Sequence, residues 1–152
     1  NKICELKITE RDFLTAVLNY TSGLIQDKKT DDAMFYMMKF KERFEKEYSN
    51  HEAYLATFYS NLAIVYADKD DFQQALAYDQ KAYDIRKQVL GTYSKDMAIT
   101  YISLAEDCLQ FNRNDEAKEC IIKAEEICKA IFENEDNELY QKVLHAKYVL
   151  GI

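Results

Sequence analysis

Apolar residues recur at intervals of three and four along most of the chain, which is the spacing of one face of an α-helix. The pattern predicts seven helices separated by short polar turns, and no stretch looks disordered or low in complexity. The predicted helices span about residues 10–26, 30–48, 52–67, 72–90, 94–110, 115–132 and 139–150. Residues 1–8 fit either an extension of the first helix or the tail of a preceding one.

Polar residues mark the predicted helix ends. Thr30 offers a capping side chain to the second helix, and Asp31 and Asp32 suit the first turn, where free amides and the helix dipole favour negative charge. Residues 49–52, SNHE, have the S-x-x-E form of a capping box before the third helix. Gly91 is the expected stop of the fourth helix.

The chain repeats itself with a period of 42 residues. Under that shift Tyr59 falls on Tyr101, Leu62-Ala63 on Leu104-Ala105, Ala75 on Ala117, Ala82 on Ala124 and Ile85 on Ile127. A helix pair that recurs at a fixed period indicates a solenoid, in which stacked pairs bury one continuous core. We therefore predict an all-α superhelix of three antiparallel helix pairs followed by a terminal helix.

The repeated residues resemble the tetratricopeptide repeat. The second copy reads Tyr59-x2-Leu62-Ala63-x2-Tyr66, then Ala75 and Ala82; the third reads Tyr101-x2-Leu104-Ala105-x2-Cys108, then Ala117 and Ala124. The first copy is poorer, with Phe40 at its last small position. The resemblance implies repeats over about 9–48, 51–90 and 93–133. It also implies a cap or truncated repeat over 137–151, all within a single domain covering 1–152.

The repeat is longer than the ordinary 34 residues by about one turn in each helix. In this it is similar to the long repeats of kinesin light chains. Residues 85–91, IRKQVLG, resemble the IREKVLG segment of that family, and residues 61–63 resemble its NNLA. Asp79 stands at a normally apolar position. The favoured interpretation is that Asp79 is half-exposed or is hydrogen-bonded to a nearby Tyr hydroxyl, and the alternative is a functional role.

The resemblance implies that a peptide or partner segment binds a concave groove lined by the first helix of each pair. The corresponding positions are Thr15, Leu18, Asn19 and Ser22; Thr57, Ser60, Asn61 and Ile64; Ile99, Ile102, Ser103 and Glu106; and Gln141, Leu144, His145 and Tyr148. Asn19 and Asn61 are equivalent, and an amide can hold a peptide backbone through both a donor and an acceptor. The alternative is that both are simply exposed helix residues.

The same positions lack the Lys and Arg with which chaperone-binding members of the family clamp a terminal carboxylate. The resemblance therefore implies a ligand with apolar anchors that also forms hydrogen bonds through its backbone.

Composition narrows the classes of function. The chain has no proline and only three glycines, which fits helices joined by short links. Its net charge of −7 argues against a general nucleic-acid binder. No apolar run approaches the length of a membrane span. Because the chain opens with Asn rather than Met, we expect it to be a piece of a longer protein.

The four cysteines, Cys4, Cys108, Cys120 and Cys128, lack the spacing of a zinc site. Cys120 and Cys128 fall about two turns apart on one predicted helix, too far apart for a disulfide. The favoured interpretation is that they are small buried hydrophobes in a reducing, cytoplasmic compartment.

Little in the sequence indicates an enzyme. His51 and His145 belong to no recognisable catalytic constellation, and the isolated glycines form no phosphate loop. Paired acids such as Asp70-Asp71 and Glu125-Glu126 suit helix starts or solvated faces better than metal binding. We expect no cofactor or metal.

The favoured hypothesis is a non-enzymatic protein-interaction module. The alternatives are a scaffold that forms homo-oligomers through its exposed last helix, and a peptide-sensing regulatory domain of a larger signalling protein.

Overall fold

A computed structural model describes residues 7–49 and 52–152, which form seven α-helices and no strands. The helices are α1 (Glu10–Gln26), α2 (Thr30–Glu47), α3 (Ala53–Asp68), α4 (Phe72–Leu90), α5 (Lys95–Gln110), α6 (Asn114–Ile131) and α7 (Glu138–Leu150). The predicted all-α fold is confirmed, and each predicted helix end lies within one residue of its observed position. Cys4 and His51 lie outside the described residues.

Side chains next to the helix starts fix several of these ends. Before α1, the Asp12 amide donates to Thr9 Oγ1 at 3.1 Å and the Thr9 amide donates to Asp12 Oδ2 at 3.0 Å, which completes a capping box. Ser94 starts α5 by accepting a bond from the Met97 amide. Gly91 ends α4 with a φ of 71°, as expected for a helix stop.

The capping predictions for α2 and α3 need correction. Thr30 does not cap α2, because it already lies within the helix; Lys29 stands at the cap position and forms no side-chain bond there. The turn before it leaves no extended residue for a Thr cap. At α3, the Ser49 amide donates to Glu52 Oε2 at 2.9 Å, which is one bond of the predicted box, but α3 begins at Ala53 and Glu52 itself stands at the cap position.

The three turns within the helix pairs share one backbone conformation. Lys28, Asp70 and Asn112 have φ values of 60°, 61° and 57°, in the left-handed region, and follow one another at intervals of 42 residues. The amide after each of them donates to a carbonyl five residues back. These bonds join Lys29 to Leu24 at 2.8 Å, Asp71 to Tyr66 at 2.9 Å and Arg113 to Cys108 at 2.9 Å. The period read in the sequence is therefore also a period of backbone geometry.

Small residues let the two helices of each pair approach closely. Ala33, Ala75 and Ala117 are fully buried at equivalent positions of the second helices, and so are Ala82 and Ala124. Each helix packs on the next in the chain, and α1 also contacts α3. The arrangement is that of stacked helix pairs.

The buried apolar side chains form two clusters. One belongs to α1–α4 and includes Phe44 and Phe58; the other belongs to α5–α7, with Tyr83 of α4 packed against it, and includes Ile121. The expected continuous core is divided into two clusters where α4 packs on α5, and Tyr83, whose ring lies 5.5 Å from that of Tyr101, bridges this interruption. The residues at that interruption are polar and are described below.

The described cysteines match the interpretation of small buried side chains in part. Cys108 and Cys128 are buried free thiols, and Cys120 is half-buried. Burial is the main cause that raises the pKa of each of the three thiols. In the part of the chain that the structure describes, no helix is both long and apolar enough to cross a bilayer.

Candidate functional site

The positions predicted to line a groove lie on α1, α3, α5 and α7, and their exposure differs widely. Leu18 and Ile102 are buried; Asn19, Ile64, Ile99, Glu106, Gln141, His145 and Tyr148 are exposed; Thr15, Ser22, Thr57, Ser60, Asn61, Ser103 and Leu144 are half-buried. Leu18 and Ile102 belong to the packed core. The remaining positions provide the surface that a partner could reach.

Asn61 and Ser22 are brought together by the packing of α3 on α1. The Asn61 Nδ2 donates to Ser22 Oγ at 2.9 Å. The Asn61 amide thus spans two helix pairs and keeps its carbonyl oxygen as an acceptor. Asn19, its equivalent one repeat earlier, is exposed. The two amides that the register makes equivalent therefore have different surroundings.

Ser60 faces a buried arginine. Nη1 of Arg86, on α4, donates to Ser60 Oγ and to Thr100 Oγ1, both at 2.8 Å. The Thr100 hydroxyl donates in turn to the Asp96 carbonyl at 2.7 Å. Since Arg86 is only 7% exposed, its guanidinium lies between the helix pairs. Arg86 therefore ties α4 to both α3 and α5.

The predicted surroundings of Asp79 are wrong. Asp79 is 5% exposed and shares a side-chain hydrogen bond with Asp107 of α5, which is also 5% exposed. Its partner is a second acid, because α5 packs directly over this position. Burial, the bond to Asp107 and the charge of Asp107 together raise the pKa of Asp79 far above its ordinary value. Burial also raises the pKa of Asp107.

The sequence carried one signal for these buried charges. Arg86 falls 42 residues after Phe44 and 42 before Cys128, both fully buried. Asp79 likewise falls 42 residues after Met37 and 42 before Ile121, which are also buried. The 42-residue alignment of the repeats therefore predicts that Asp79 and Arg86 both occupy core positions. Neither Arg86 nor Asp107 was singled out, because their partners lie on another helix.

A cavity of about 270 Å³ lies between α5 and α7. Three predicted groove positions, Ile102, Glu106 and His145, line it together. The other lining residues are Ala105, Leu109, Ile121, Lys142, Ala146, Val149 and Leu150. The walls are mainly aliphatic, and an acid, an amine and an imidazole supply polar groups. The cavity can hold an apolar side chain and offers hydrogen-bonding groups to the atoms around it.

Among the residues that the structure describes, four larger cavities lie away from the predicted groove positions, and two of them are lined in part by α4. One of about 540 Å³ is lined by Lys41, Glu45, Tyr59, Lys81, Asp84, Ile85 and Gln88. Lys41 is paired with Glu45 at 2.8 Å, and Lys81 Nζ lies 5.3 Å from the centre of the Tyr59 ring. Another of about 460 Å³ lies among α4, α5 and α6. The sequence pattern indicated neither of them.

Asp31 at the start of α2 and Glu125 of the Glu125-Glu126 pair form ion pairs, and Glu125 is buried instead of lying on a solvated face. Asp31 pairs with Lys69, while Glu125 pairs with Lys129 and Lys147. Across residues 7–49 and 52–152, no group of three or more His, Cys, Asp or Glu side chains is placed to hold a metal ion.

Comparison with protein-family models identifies the family of this fold. The family model described as tetratricopeptide repeat matches residues 54–130, which run from the start of α3 almost to the end of α6 and make up about half of the chain. No curated protein is significantly similar to the chain.

Proposed function

Because the chain belongs to the tetratricopeptide repeat family, we propose that it is a non-enzymatic module that binds a peptide or extended partner segment along α1, α3, α5 and α7. Repeats of this family are in general protein-interaction modules. The observation that best supports this function is the cavity between α5 and α7, since Ile102, Glu106 and His145 line it together.

The size and lining of the cavity suggest how the partner is held. At about 270 Å³ the cavity falls below the usual range for a drug-sized ligand, so it suits one large apolar side chain of a peptide. Glu106, Lys142 and His145 can bond the polar atoms next to that side chain. Asn61 and the exposed Asn19 would bond the backbone of the same segment further along the array.

We also infer the finer identity of the repeat and its compartment. The 42-residue spacing of Lys28, Asp70 and Asn112 supports a long repeat similar to that of kinesin light chains. The free, buried thiols of Cys108 and Cys128 support a reducing compartment such as the cytoplasm.

The binding site can be tested by filling the cavity. Peptides selected from a displayed library on the wild-type protein would be titrated against Ala146→Leu, which places a larger side chain in the cavity. The expected loss of affinity is about tenfold or more, because the anchoring side chain can no longer be buried. Ala130→Leu, on the exposed face of α6, is the control and should bind as wild type does. Equal affinity for all three proteins would rule out the cavity as the anchor.

A second function, a homo-oligomeric scaffold, is favoured by the end of α7. Tyr148 is 84% exposed and Val149 is 65% exposed, and Ile152 beyond the helix is 41% exposed. A second copy could cover this apolar surface. Light scattering over a concentration series tests the homo-oligomer. A molecular mass that stays at that of one chain would contradict it. A regulatory domain of a larger signalling protein would use the same peptide-binding surface as the first function.

A further inference from the structure

The contact between α4 and α5 differs in chemistry from the equivalent contact one repeat earlier. Between α2 and α3, four fully buried positions hold Met37, Phe44, Phe58 and Val65. The rings of Phe44 and Phe58 stack there with their centroids 4.3 Å apart. Shifted by 42 residues, the same positions hold Asp79, Arg86, Thr100 and Asp107, each at most 7% exposed. We call this second set the polar joint.

The polar joint is held by few, specific bonds. Arg86 donates to Thr100 across the α4–α5 contact, and Asp79 bonds to Asp107 across the same contact. The Asp107 Oδ2 is buried without a hydrogen-bond partner. The apolar core is interrupted at this place. The rings of Tyr83 and Tyr101 also cross the α4–α5 contact, with their centroids 5.5 Å apart. At the polar joint itself, charged side chains stand where the α2–α3 contact is apolar, so this part of the contact depends on their charge state.

We propose that the polar joint is closed while the Asp79–Asp107 pair carries a proton and loosens when that proton is lost to water. In the closed state the Asp79 hydroxyl donates to the Asp107 carboxylate, and the guanidinium of Arg86 balances the remaining charge. Without the proton, two carboxylates would face each other at hydrogen-bond distance where water is largely excluded. Their repulsion is then poorly screened, and separation of α4 from α5 relieves it.

The charged groups around the pair favour keeping the proton. On α5, Glu106 adds negative charge beside Asp107, and Asp96 faces Arg86. Lys142 of α7 acts on Glu106. From α3 the contact with Arg86 is the uncharged Ser60 hydroxyl. Carboxylates thus outnumber the cations around Asp79.

The direction of the pH effect follows from the pKa of Asp79, which folding raises above its ordinary value of 3.8. The folded chain therefore holds this proton more tightly than the unfolded chain does. The contribution of the polar joint to stability is complete below the ordinary pKa and is lost as the pH rises through the raised, folded-state pKa. The raised pKa of Asp107 acts in the same direction.

The test compares wild type with Asp79→Asn, whose amide keeps a donor toward Asp107 but has no proton to lose. Thermal unfolding from about pH 5 to about pH 8.5 is expected to show a falling Tm for wild type, with about one proton released on unfolding near neutrality. Asp79→Asn should lose that pH dependence and that proton release. Asp84→Asn, on the exposed side of α4, should behave as wild type. If Asp79→Asn does not fold, Asp107→Asn removes the same shared proton.

Two further measurements show whether loss of the proton separates α4 from α5 or only changes the charge of the Asp79–Asp107 pair. Carbon-13 NMR of the Asp carboxyls should place a titration of the pair well above the ordinary Asp range. Small-angle scattering from about pH 7 to about pH 10.5 should show wild type, but not Asp79→Asn, expanding as the pH rises through the folded-state pKa of Asp79, about 9. Ordinary pKa values for both acids, or a pH dependence of Tm shared by wild type and Asp79→Asn, would overturn the proposal. So would dimensions of wild type that stay constant across the range.

Discussion

The Asn61 amide of α3 donates a hydrogen bond to the Ser22 hydroxyl of α1, with 2.9 Å between Nδ2 and Oγ. The bond joins the first helices of two successive pairs at positions where a partner is expected to lie. It also fixes the orientation of the Asn61 amide plane. A fixed amide loses less conformational freedom when its carbonyl accepts a bond from a bound peptide.

Asn61→Ala should lower the free energy of unfolding by about 1 kcal/mol, because the half-buried Ser22 hydroxyl loses its partner. Asn19→Ala, at the equivalent but exposed position, should change stability by less than about 0.5 kcal/mol. Urea unfolding followed by circular dichroism measures both. Equal losses would mean that the Asn61–Ser22 bond does not distinguish the two sites. Titrating both variants with a selected peptide tests the binding role of each amide.

Arg86→Ala should lower the free energy of unfolding by about 3 kcal/mol, because it leaves the Asp79–Asp107 pair without its balancing charge.

Replacing the whole polar joint by the residues of the α2–α3 contact should have the opposite effect. The change of Asp79, Arg86, Thr100 and Asp107 to Met, Phe, Phe and Val should be neutral or stabilising by about 2 kcal/mol. Denaturant unfolding of both proteins is the measurement. A stabilising Arg86→Ala would contradict the role given to Arg86.

The ion pair between Glu125 of α6 and Lys147 of α7 should stabilise the packing of α7 at neutral pH and lose this effect in acid. Burial alone raises its pKa, but the hydrogen bonds from Lys129 and Lys147 outweigh this and hold the pKa below the ordinary value of 4.5. The stability from this group is therefore present above that value and is lost as the pH falls through the lowered, folded-state pKa. Its sign is opposite to that of the polar joint.

Lys147→Met removes the partner on α7, which lies 2.5 Å from Glu125 Oε2. We expect a loss of about 1 kcal/mol at neutral pH and a smaller further loss on acidification. Lys129→Met is the matched control, since that lysine is on the same helix as Glu125 and more exposed. Urea unfolding at neutral pH and near pH 4 compares the variants. If Lys129→Met lowers the free energy of unfolding as much as Lys147→Met does, the ion pair between α6 and α7 does not stabilise the chain more than the pair within α6.

Glycine should stabilise the left-handed turns in an order set by the residue it replaces. Lys28→Gly should raise stability by about 1 kcal/mol, since a β-carbon is strained at this φ. Asn112→Gly should gain less, because Asn tolerates the left-handed region better. Lys29→Gly has no such strain to relieve, with a φ of −88°, and should not gain. Thermal unfolding ranks the three. A gain for Lys29→Gly equal to that for Lys28→Gly would contradict the argument.

The helices and turns could be predicted from the sequence because their causes are local. Apolar spacing, the Ser94 cap and the Gly91 stop lie within a few residues of the ends they determine. The prediction of Thr30 as a cap was wrong, because the preceding turn decides where α2 begins. The turn itself follows a 42-residue period that the sequence does show.

The surroundings of the site residues depend on contacts between helices. Register placed Ile102, Glu106 and His145 on one predicted surface, and the three line a single cavity between α5 and α7. It could not show that Arg86 reaches Ser60 from the second helix of the pair, or that Asp107 meets Asp79. Those pairings depend on how α4 and α5 pack.

From the break between the two apolar clusters we expect two units of cooperativity, α1–α4 and α5–α7. Neighbouring repeats unfold together only to the extent that their shared contact couples them. A partner anchored between α5 and α7, as proposed, would stabilise that unit directly. Its effect reaches α1–α4 only through the contact of α4 with α5. The charge state of Asp79 would then decide whether binding at one end of the array is felt at the other.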